Sequence, residues 1–316
     1  MTARIFIDGA VGTTGLEIRE RLAARADLKL ITLAEAERKD EKARARALND
    51  ADVVVLCLPD AAARQAVALI ENPEVRVIDA STAHRVAEGW TYGFPELEAD
   101  FYDRIAASKR VANPGCWATC FLALARPLVR AGLIPADFPL TVHGVSGYSG
   151  GGKSMIEEFE KKDSPVFVET VQRSYALGLA HKHIPEMQAL AGLAHPPLFA
   201  PAVARFYRGM LVELPLPLWA LPGTPKLRDL HAVLANAYAG RPLVEVAGLE
   251  ETAAVKSLDA ELLANSNAMK LFVFANETAG QARLVALLDN LGKGAAGAAV
   301  QNLNIMLGLP ETTGLL

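Results

Sequence analysis

The sequence is poor in the features that mark secreted, membrane and nucleic-acid-binding proteins. It has three cysteines in 316 residues, too few for a disulfide framework and unpromising for a metal site of cysteine type. No apolar run reaches the ~18 residues that a membrane-spanning helix needs, and no secretory signal is recognisable. A net charge of -4 leaves no basic surplus for nucleic-acid phosphates. These absences predict a cytoplasmic protein with no membrane or nucleic-acid partner and no metal.

Two patterns of secondary structure divide the chain. The first third alternates strand-like stretches (ARIFIDG, LKLITLA, DVVVLCLP, VRVIDAS) with helix-like ones (TGLEIRERLAARA, AAARQAVALIEN). Such alternation is typical of a parallel, doubly wound sheet. The mixed run ERKDEKARAR at 37–46 indicates a solvated loop or helix face. After about residue 140, longer strands joined by turns predict an α+β domain.

A glycine-rich loop follows the first predicted strand. Gly9, Gly12 and Gly15 have the spacing G-x-x-G-x-x-G, with Thr13 and Thr14 between them, and an amphipathic helix begins there. Glycines permit a tight turn and close approach of the backbone to a pyrophosphate, and the helix offers N–H groups to it. The loop therefore predicts a dinucleotide site, with a purely structural turn as the alternative.

The choice of nicotinamide cofactor depends on the residues after the second strand. An acidic residue there favours NAD, and basic residues favour NADP. Glu35 is a candidate for the first role, whereas Arg38 and Lys39 are candidates for the second. The residues alone leave both cofactors open.

A second site is predicted in the stretch ANPGCWATCFLALARPL. The Asn113-Pro114-Gly115 turn places Cys116 at the start of a helix. A helix N-terminus favours a thiolate and stabilises an oxyanion, so Cys116 is a candidate nucleophile that forms a thioester. Cys57 and Cys120 are predicted to be packed in the core.

A thioester enzyme also needs an acid or base. The stretch LAHKHIPEM contains His181 and His183, the only closely spaced pair among six histidines. Either could serve, and a metal pair on a strand or a structural pair are the alternatives. A cysteine nucleophile together with a nicotinamide predicts interconversion of an aldehyde and an acyl derivative.

The stretch GYSGGGKS, residues 147–154, matches the phosphate-binding pattern G-x-x-x-x-G-K-[ST] of ATPases. It lies after the parallel-sheet signals, at the start of the α+β region, and the first strand already has its own glycine loop. We therefore expect a flexible backbone near a ligand here, rather than an ATP site.

Four stretches together resemble the N-acetyl-gamma-glutamyl-phosphate reductase family, in its short (type 2) form: GAVGTTG, NPGCWAT, HKHIPEM and DNLGKGAAGAAVQNLN. The likeness runs from Ile5 to about Pro310. Trp117 stands where phenylalanine or tyrosine is common in that family. The resemblance implies an α/β fold of the semialdehyde-dehydrogenase and glyceraldehyde-3-phosphate-dehydrogenase type. Its Rossmann-type NADP domain would span 1–115 and 290–316, with an α+β catalytic and dimerisation domain at 116–289.

The resemblance also implies an activity and a set of site residues. The family reduces N-acetyl-L-glutamyl 5-phosphate with NADPH in arginine biosynthesis, as a homodimer or homotetramer. Cys116 becomes the nucleophile, and one of the histidines, preferably His181, the acid/base. The expected cofactor residues are Gly9, Gly12, Thr13, Thr14, Gly15, Arg38, Ser81, Ser146, Gly147 and Asn290. The expected substrate residues are Asn113, Arg85, Glu96 and Arg208.

Three other functions are the alternatives. Aspartate-semialdehyde dehydrogenase or another acyl-phosphate reductase would use the same chemistry. A non-enzymatic nucleotide-binding regulator would have Cys116 as a packed residue, and a P-loop ATPase would use GYSGGGKS.

Overall fold

The computed structural model describes residues 2–316, which form two compact units. The first unit comprises the chain up to Pro95, Ala99–Gly115 and Ala295–Leu316. The second comprises Glu96–Glu98 and Cys116–Gly294. The chain returns to the first unit at Ala295. Just before this point it is held in the second unit, where Asp289 bonds to Asn265 and Lys293 to Glu96.

The first unit is built on a six-stranded sheet in which every neighbouring pair is parallel. The strand order is β2-β1-β3-β4-β6-β5. Its strands are β1 (Ala3–Asp8), β2 (Leu28–Ile31), β3 (Val53–Leu56), β4 (Arg76–Asp79), β5 (Thr91–Tyr92) and β6 (Arg110–Ala112). Its helices are α1 (Thr13–Ala23), α2 (Glu41–Asp50), α3 (Asp60–Ala68), α4 (Phe101–Ala107) and, at the C-terminal end, α10 (Gly297–Met306). The parallel α/β prediction is confirmed.

The charged run at 37–46 overlaps the beginning of α2. Asp40 caps this helix by accepting a hydrogen bond from the backbone N–H of Ala43 at 2.6 Å. Ala43, Ala47 and Leu48 are buried, whereas the charged side chains other than Arg44 are exposed. The apolar stripe consists mostly of alanines, which is why the charges dominate the sequence pattern.

The C-terminal stretch forms the tightly packed helix that its small residues predict. A π-helical turn at Gly292–Ala296 leads into α10, whose ten residues are all buried. α10 packs on α4, α1 and β4 within the first unit. A β-carbon at Gly93 would collide with the side chain of Asn302, so this approach of the chain requires glycine.

The second unit contains a seven-stranded mixed sheet with the strand order β11-β12-β13-β10-β7-β9-β8. Its strands are β7 (Thr141–Gly147), β8 (Gln172–Ser174), β9 (Leu198–Ala204), β10 (Met210–Pro217), β11 (Val244–Val246), β12 (Met269–Asn276) and β13 (Gln281–Leu288). Its helices are α5 (Cys116–Arg130), α6 (Gly152–Glu160), α7 (Ile184–Ala191), α8 (Leu227–Ala237) and α9 (Leu249–Ala254). The α+β prediction is confirmed, and α5 is packed on β10, β13, α7 and α8.

Across residues 2–316, no helix is both long and apolar enough to cross a membrane.

Candidate active site

The glycine loop of the first unit is shaped by close backbone contacts. Gly9 has φ +87°, and a β-carbon there would collide with the carbonyl oxygen of Cys57. A β-carbon at Gly15 would collide with the carbonyl oxygen of Gly9. Gly12 is the N-cap of α1 and provides no side-chain cap, and the first turn, which begins with Thr13 and Thr14, has no acidic residue. The loop therefore presents N–H groups and positive potential that fit a pyrophosphate.

A cavity of about 580 Å³ in the first unit adjoins this loop. Residues of β1 and β2 and the segments after them line the cavity, including Glu35, Arg38 and Lys39. Two lining cations were missed by sequence reasoning. Arg19 lies on α1 one turn after Gly15, and Arg44 lies on α2, where it pairs with Asp8 at 2.7 Å. The cavity is net basic, which suits the additional phosphate of NADP.

The segment that follows β4 is organised by a buried carboxylate. Asp79 is fully buried, and its Oδ2 accepts a hydrogen bond from the Ser81 hydroxyl at 2.7 Å. The Nδ1 atom of His84 lies 2.6 Å from the same oxygen, and the His84 ring stacks on Trp90. Arg85 donates from Nε to the carbonyl oxygen of Asn113 at 3.0 Å. Ser81 and Arg85 are therefore held in place by neighbours of the first unit.

Asn113, in the turn that precedes Cys116, forms hydrogen bonds through both the nitrogen and the oxygen of its side-chain amide. Its Nδ2 donates to the carbonyl oxygen of Ala295 at 3.0 Å, and its Oδ1 accepts from Asn302 Nδ2 at 3.1 Å. Asn113 is buried, so these bonds fix the turn. Asn302 was missed by sequence reasoning, because one asparagine in a small-residue helix gives no local signal. A contact of Asn113 with substrate stays a prediction.

Cys116 is the first residue of α5, at the position that the sequence predicts. It is partly buried, and the first turn of α5 has no acidic residue. A thiolate there is stabilised by the dipole and the N–H groups of the helix. Burial raises the pKa of Cys120 well above its usual range. Burial and then the charges of Asp79 and Asp8 raise the pKa of Cys57 to about 12, which makes both other thiols poor nucleophiles.

The two histidines lie in a turn that leads into α7. His183 is the buried N-cap residue of α7, whereas His181 is partly exposed. The two rings meet edge to face, with centroids 4.7 Å apart. The alternative of a metal pair on a strand does not hold, because neither histidine lies in a strand. No group of three or more potential metal ligands was found in the described part of the chain, residues 2–316.

Two aromatic residues that sequence reasoning missed join the cysteine segment to the histidines. Trp117 donates from its indole N–H to the hydroxyl of Tyr175 at 2.9 Å. That hydroxyl lies 3.5 Å from Nε2 of His181. Burial raises the pKa of the Tyr175 phenol, and the charge of Cys116 is the next cause of this rise. Cys116, Tyr175 and His181 therefore belong to one neighbourhood, in which His181 is the more accessible histidine.

GYSGGGKS forms the end of β7, a 3₁₀ turn at Tyr148–Gly151 and the start of α6. β7 pairs in parallel with β9 and antiparallel with β10, so its sheet is mixed. A P-loop follows a strand of a parallel sheet, which β7 does not belong to. Lys153 is also exposed on the surface, unlike a lysine that binds a phosphate in a P-loop. The expectation of a glycine-rich turn without ATP agrees with this geometry.

The glycine-rich turn is packed against the segment that precedes β10. A β-carbon at Gly147 would collide with the carbonyl oxygen of Tyr207. Asn290 donates from Nδ2 to the Ser149 hydroxyl at 2.9 Å and accepts from the N–H of Gly209 at 2.9 Å. Ser146 is buried at the end of β7. Ser146, Gly147 and Asn290 are thus close to one turn, and their contact with cofactor stays a prediction.

Two of the predicted substrate residues have acidic or basic partners in the second unit. Glu96 is buried, and its carboxylate lies 2.7 Å from Nζ of the equally buried Lys293. The guanidinium of Arg208 lies 3.6 Å from Asp289 Oδ2. The sequence did not indicate the role of Lys293, because its partner is almost 200 residues away (|i−j| = 197). Binding of substrate by Glu96 and Arg208 stays a prediction.

Comparison with known proteins agrees with this architecture. Residues 4–105 match the family model "Semialdehyde dehydrogenase, NAD binding domain", and residues 116–290 match "Semialdehyde dehydrogenase, dimerisation domain". Aspartate semialdehyde dehydrogenase II of Vibrio cholerae, solved with ASA, superposes with a TM-score of 0.74 at 15% identity. The superposition covers 98% of this chain and 99% of that one, and at this identity it shows the fold alone.

Curated relatives are far more similar in sequence. An N-acetyl-gamma-glutamyl-phosphate reductase of Brucella anthropi is 54% identical over 309 residues, which cover 98% of this chain and 99% of the relative. A reductase of the same name from Trichormus variabilis is 50% identical over 318 residues, with 99% of each chain covered. The chain belongs to the N-acetyl-gamma-glutamyl-phosphate reductase family.

Proposed function

We propose that this chain reduces N-acetyl-L-glutamyl 5-phosphate to N-acetyl-L-glutamate 5-semialdehyde and phosphate through a thioester on Cys116. It is an NADP-dependent oxidoreductase of arginine biosynthesis, in keeping with relatives that are 50% and 54% identical over nearly the whole chain. The single observation that carries the covalent route is the position of Cys116 as the first residue of α5. The two other thiols have raised pKa values, which supports this choice.

The first unit has the features that NADPH requires. The Gly9–Gly15 loop and the uncapped N-terminus of α1 fit the pyrophosphate. The 2′-phosphate fits a group of cations that line one cavity: Arg38, Arg19 and Lys39. Bound NADPH supplies the hydride that takes the thioester to the oxidation level of the aldehyde. We propose Ser81, Ser146, Gly147 and Asn290 as further cofactor contacts.

Cys116 starts the reaction in this proposal. Its thiolate attacks the acyl carbon of the substrate, the C–S bond forms, and the C–O bond to phosphate breaks. Inorganic phosphate leaves with the electron pair of that bond. Negative charge on the carbonyl oxygen is stabilised by the N–H groups of the first turn of α5, which need no reorganisation to do so.

His181 acts as the acid in the second half of the reaction. After reduction, the hemithioacetal oxygen carries the negative charge and receives a proton. On collapse His181 takes this proton back while the C=O bond re-forms and the C–S bond breaks, which releases the aldehyde and restores the Cys116 thiolate. His181 is preferred because it is partly exposed and shares a neighbourhood with Cys116 through Tyr175, whereas His183 is buried at the start of α7.

Substrate recognition is proposed for Arg85, Arg208, Glu96 and Asn113. The two arginines suit the phosphate and the carboxylate of the substrate, since guanidinium binds such groups with two parallel hydrogen bonds. Glu96 and Asn113 are proposed as further substrate contacts, and like the two arginines they also bond within the protein.

The experiment is the reverse reaction, measured as phosphate-dependent reduction of NADP by its change in absorbance. N-acetylglutamate semialdehyde and aspartate semialdehyde are compared as substrates. Cys116→Ala is expected to abolish turnover while NADPH binding, measured by fluorescence, stays near that of the parent. Substantial turnover by this variant contradicts the covalent route, and preference for aspartate semialdehyde contradicts the substrate.

We propose that the chain forms a homodimer or homotetramer in the cytoplasm. The matched dimerisation-domain family supports a homodimer or homotetramer, which light scattering after gel filtration distinguishes. Three cysteines in 316 residues fit a reducing cytoplasm.

A further inference from the structure

Tyr175 stands between the residue after Cys116 and the proposed acid. It follows directly on β8, and its hydroxyl lies 2.9 Å from the indole nitrogen of Trp117 and 3.5 Å from Nε2 of His181. All these residues belong to the second unit. Neither Tyr175 nor Trp117 takes part in a bond-making or bond-breaking step of the proposed reaction.

The hydrogen bonds determine which nitrogen of His181 holds the proton. The backbone N–H of His183 donates to Nδ1 of His181 at 3.1 Å. An imidazole nitrogen that accepts a hydrogen bond uses its lone pair, so in the neutral ring the proton is on Nε2. That proton faces the hydroxyl of Tyr175. The hydroxyl therefore receives two donors, the indole N–H of Trp117 and the Nε2–H of His181.

The ring of His181 is also held by its aromatic neighbours. The centroid of Phe199 lies 5.1 Å away and that of His183 4.7 Å away, both at 89° to the ring. These edge contacts restrict rotation of the imidazole without selecting its tautomer. The tautomer is selected by polar contacts, and one is present at each nitrogen.

The backbone between Tyr175 and His181 is set for this contact. Ala176 and Leu179 both have left-handed conformations, with φ 53° and 56°. Such conformations in residues other than glycine cost about 1 kcal/mol or more and persist only where the surroundings impose them. The turn between Tyr175 and His181 is thus held in one conformation, in which the two side chains meet.

On the function proposed above, we propose that Tyr175 is a positioning residue for His181. Its hydroxyl, oriented by Trp117, accepts the Nε2–H and keeps His181 in one tautomer and one orientation, with Nε2 on the side of the Cys116 neighbourhood. Burial and the charge of Cys116 raise the pKa of the phenol, so it stays neutral while it does this.

Tyr175→Phe and Trp117→Phe test the proposal, because each keeps an aromatic ring and removes one polar group. In the parent, ¹⁵N-histidine NMR is expected to show His181 as the Nε2–H tautomer. The signals of His181 are assigned by their disappearance from the spectrum of His181→Asn. In Tyr175→Phe the two ring nitrogens should move towards averaged shifts. The kcat should fall about 10- to 100-fold, as expected for a misplaced reacting group, with KM values within about twofold.

A double-mutant cycle separates positioning from packing. Trp117 acts through Tyr175, so Trp117→Phe should lower kcat in the parent but have little further effect in Tyr175→Phe. The matched controls are Tyr102→Phe, at a partly buried tyrosine on α4, and Trp219→Phe, at an exposed tryptophan. Both should behave as the parent.

Two results overturn the proposal: an unchanged His181 tautomer in folded Tyr175→Phe, or additive kcat losses in the cycle. If Tyr175→Phe does not fold, Trp117→Phe alone must loosen the tautomer, and its failure to do so is equally decisive. The NMR measurement needs no turnover. It therefore tests Tyr175 even if Cys116→Ala disproves the covalent route.

Discussion

A β-carbon placed on Gly294 would stand 2.8 Å from the β-carbon of Cys116, closer than real β-carbons come to other atoms. Gly294 lies in the π-helical turn at Gly292–Ala296, and its N–H donates to the carbonyl oxygen of Asp289 at 2.9 Å. The backbone of this turn is thus packed directly on the proposed nucleophile. Glycine is required there by contact with Cys116.

Gly294→Ala is therefore expected to move Cys116. The added methyl group also meets the carbonyl oxygen of Asp289 at 3.1 Å, so the turn has little freedom to retreat. Because a small misplacement of a reacting group is costly, kcat should fall about 10- to 100-fold. NADPH affinity should be unchanged, since the new methyl group meets atoms of Cys116, Asp289 and Leu288, none of which is a proposed cofactor contact. Steady-state kinetics and a fluorescence titration measure the two quantities.

Gly248→Ala is the matched control for this substitution. A β-carbon on Gly248 would meet no atom within 4 Å, and this glycine is the N-cap of α9 with φ -60°. The variant should keep the kcat of the parent and lose about 1 kcal/mol of stability or less, since alanine is a poorer N-cap than glycine. Equal kcat values for the two variants would show that the contact with Cys116 does not matter.

The three cysteines should differ in reactivity. The pKa of Cys57 is raised to about 12 and that of Cys120 is raised well above its usual range, so both stay thiols at neutral pH and start to ionise only in alkali. Iodoacetamide at neutral pH should therefore label the native protein once, at Cys116, as judged by peptide mass spectrometry. The label should be absent from Cys116→Ala, and labelling of Cys57 at an equal rate would contradict the assignment.

The glycine loop, the Cys116 turn and the alternation of strands and helices could be predicted because each depends on residues close in sequence. Gly15 is constrained by Gly9 and Cys116 by the helix it begins, whereas the contact of Gly9 with Cys57 joins residues distant in sequence. Local patterns of this kind carry their own physical reason, and the structure has these elements where the sequence indicated.

The supports of the site could not be predicted, because their partners are distant in sequence. Tyr175 bonds to Trp117, 58 residues away, and Asn302 bonds to Asn113, 189 residues away. Arg44 was hidden in a run of charges, and only the fold brings it to Asp8. Neither composition nor periodicity reports such pairs, since each partner is an ordinary residue for its own element.

Arg38 and Lys39 should determine the preference for NADP. A charged hydrogen bond to the 2′-phosphate contributes about 1.5–3 kcal/mol, or about 10- to 100-fold in affinity. Arg38→Ala/Lys39→Ala is expected to weaken NADPH binding by at least this factor and to leave NADH binding unchanged. Isothermal titration with both cofactors measures the ratio. The exposed Lys162→Ala is the control, and an equal loss for NADH would mean that the two cations bind another part of the cofactor.

Removing one partner of the buried pair of Glu96 and Lys293 should destabilise the second unit strongly. The two groups are 2.7 Å apart with side chains 0% and 1% exposed. Glu96→Gln leaves the Lys293 ammonium buried without its carboxylate, which should lower the free energy of unfolding by about 3–5 kcal/mol. Urea denaturation measures the change, and Glu96→Gln/Lys293→Met should recover much of it because no buried charge remains.

The exposed pair of Glu74 and Lys109 provides the comparison that isolates burial. Its atoms are 3.1 Å apart, but the side chains are 80% and 53% exposed. Solvent screens such a pair, so Glu74→Gln should change the free energy of unfolding by less than about 1 kcal/mol. A loss no larger in Glu96→Gln than in Glu74→Gln would show that the buried pair is dispensable for stability. A selective rise in substrate KM in a stable Glu96→Gln would instead support contact of Glu96 with substrate.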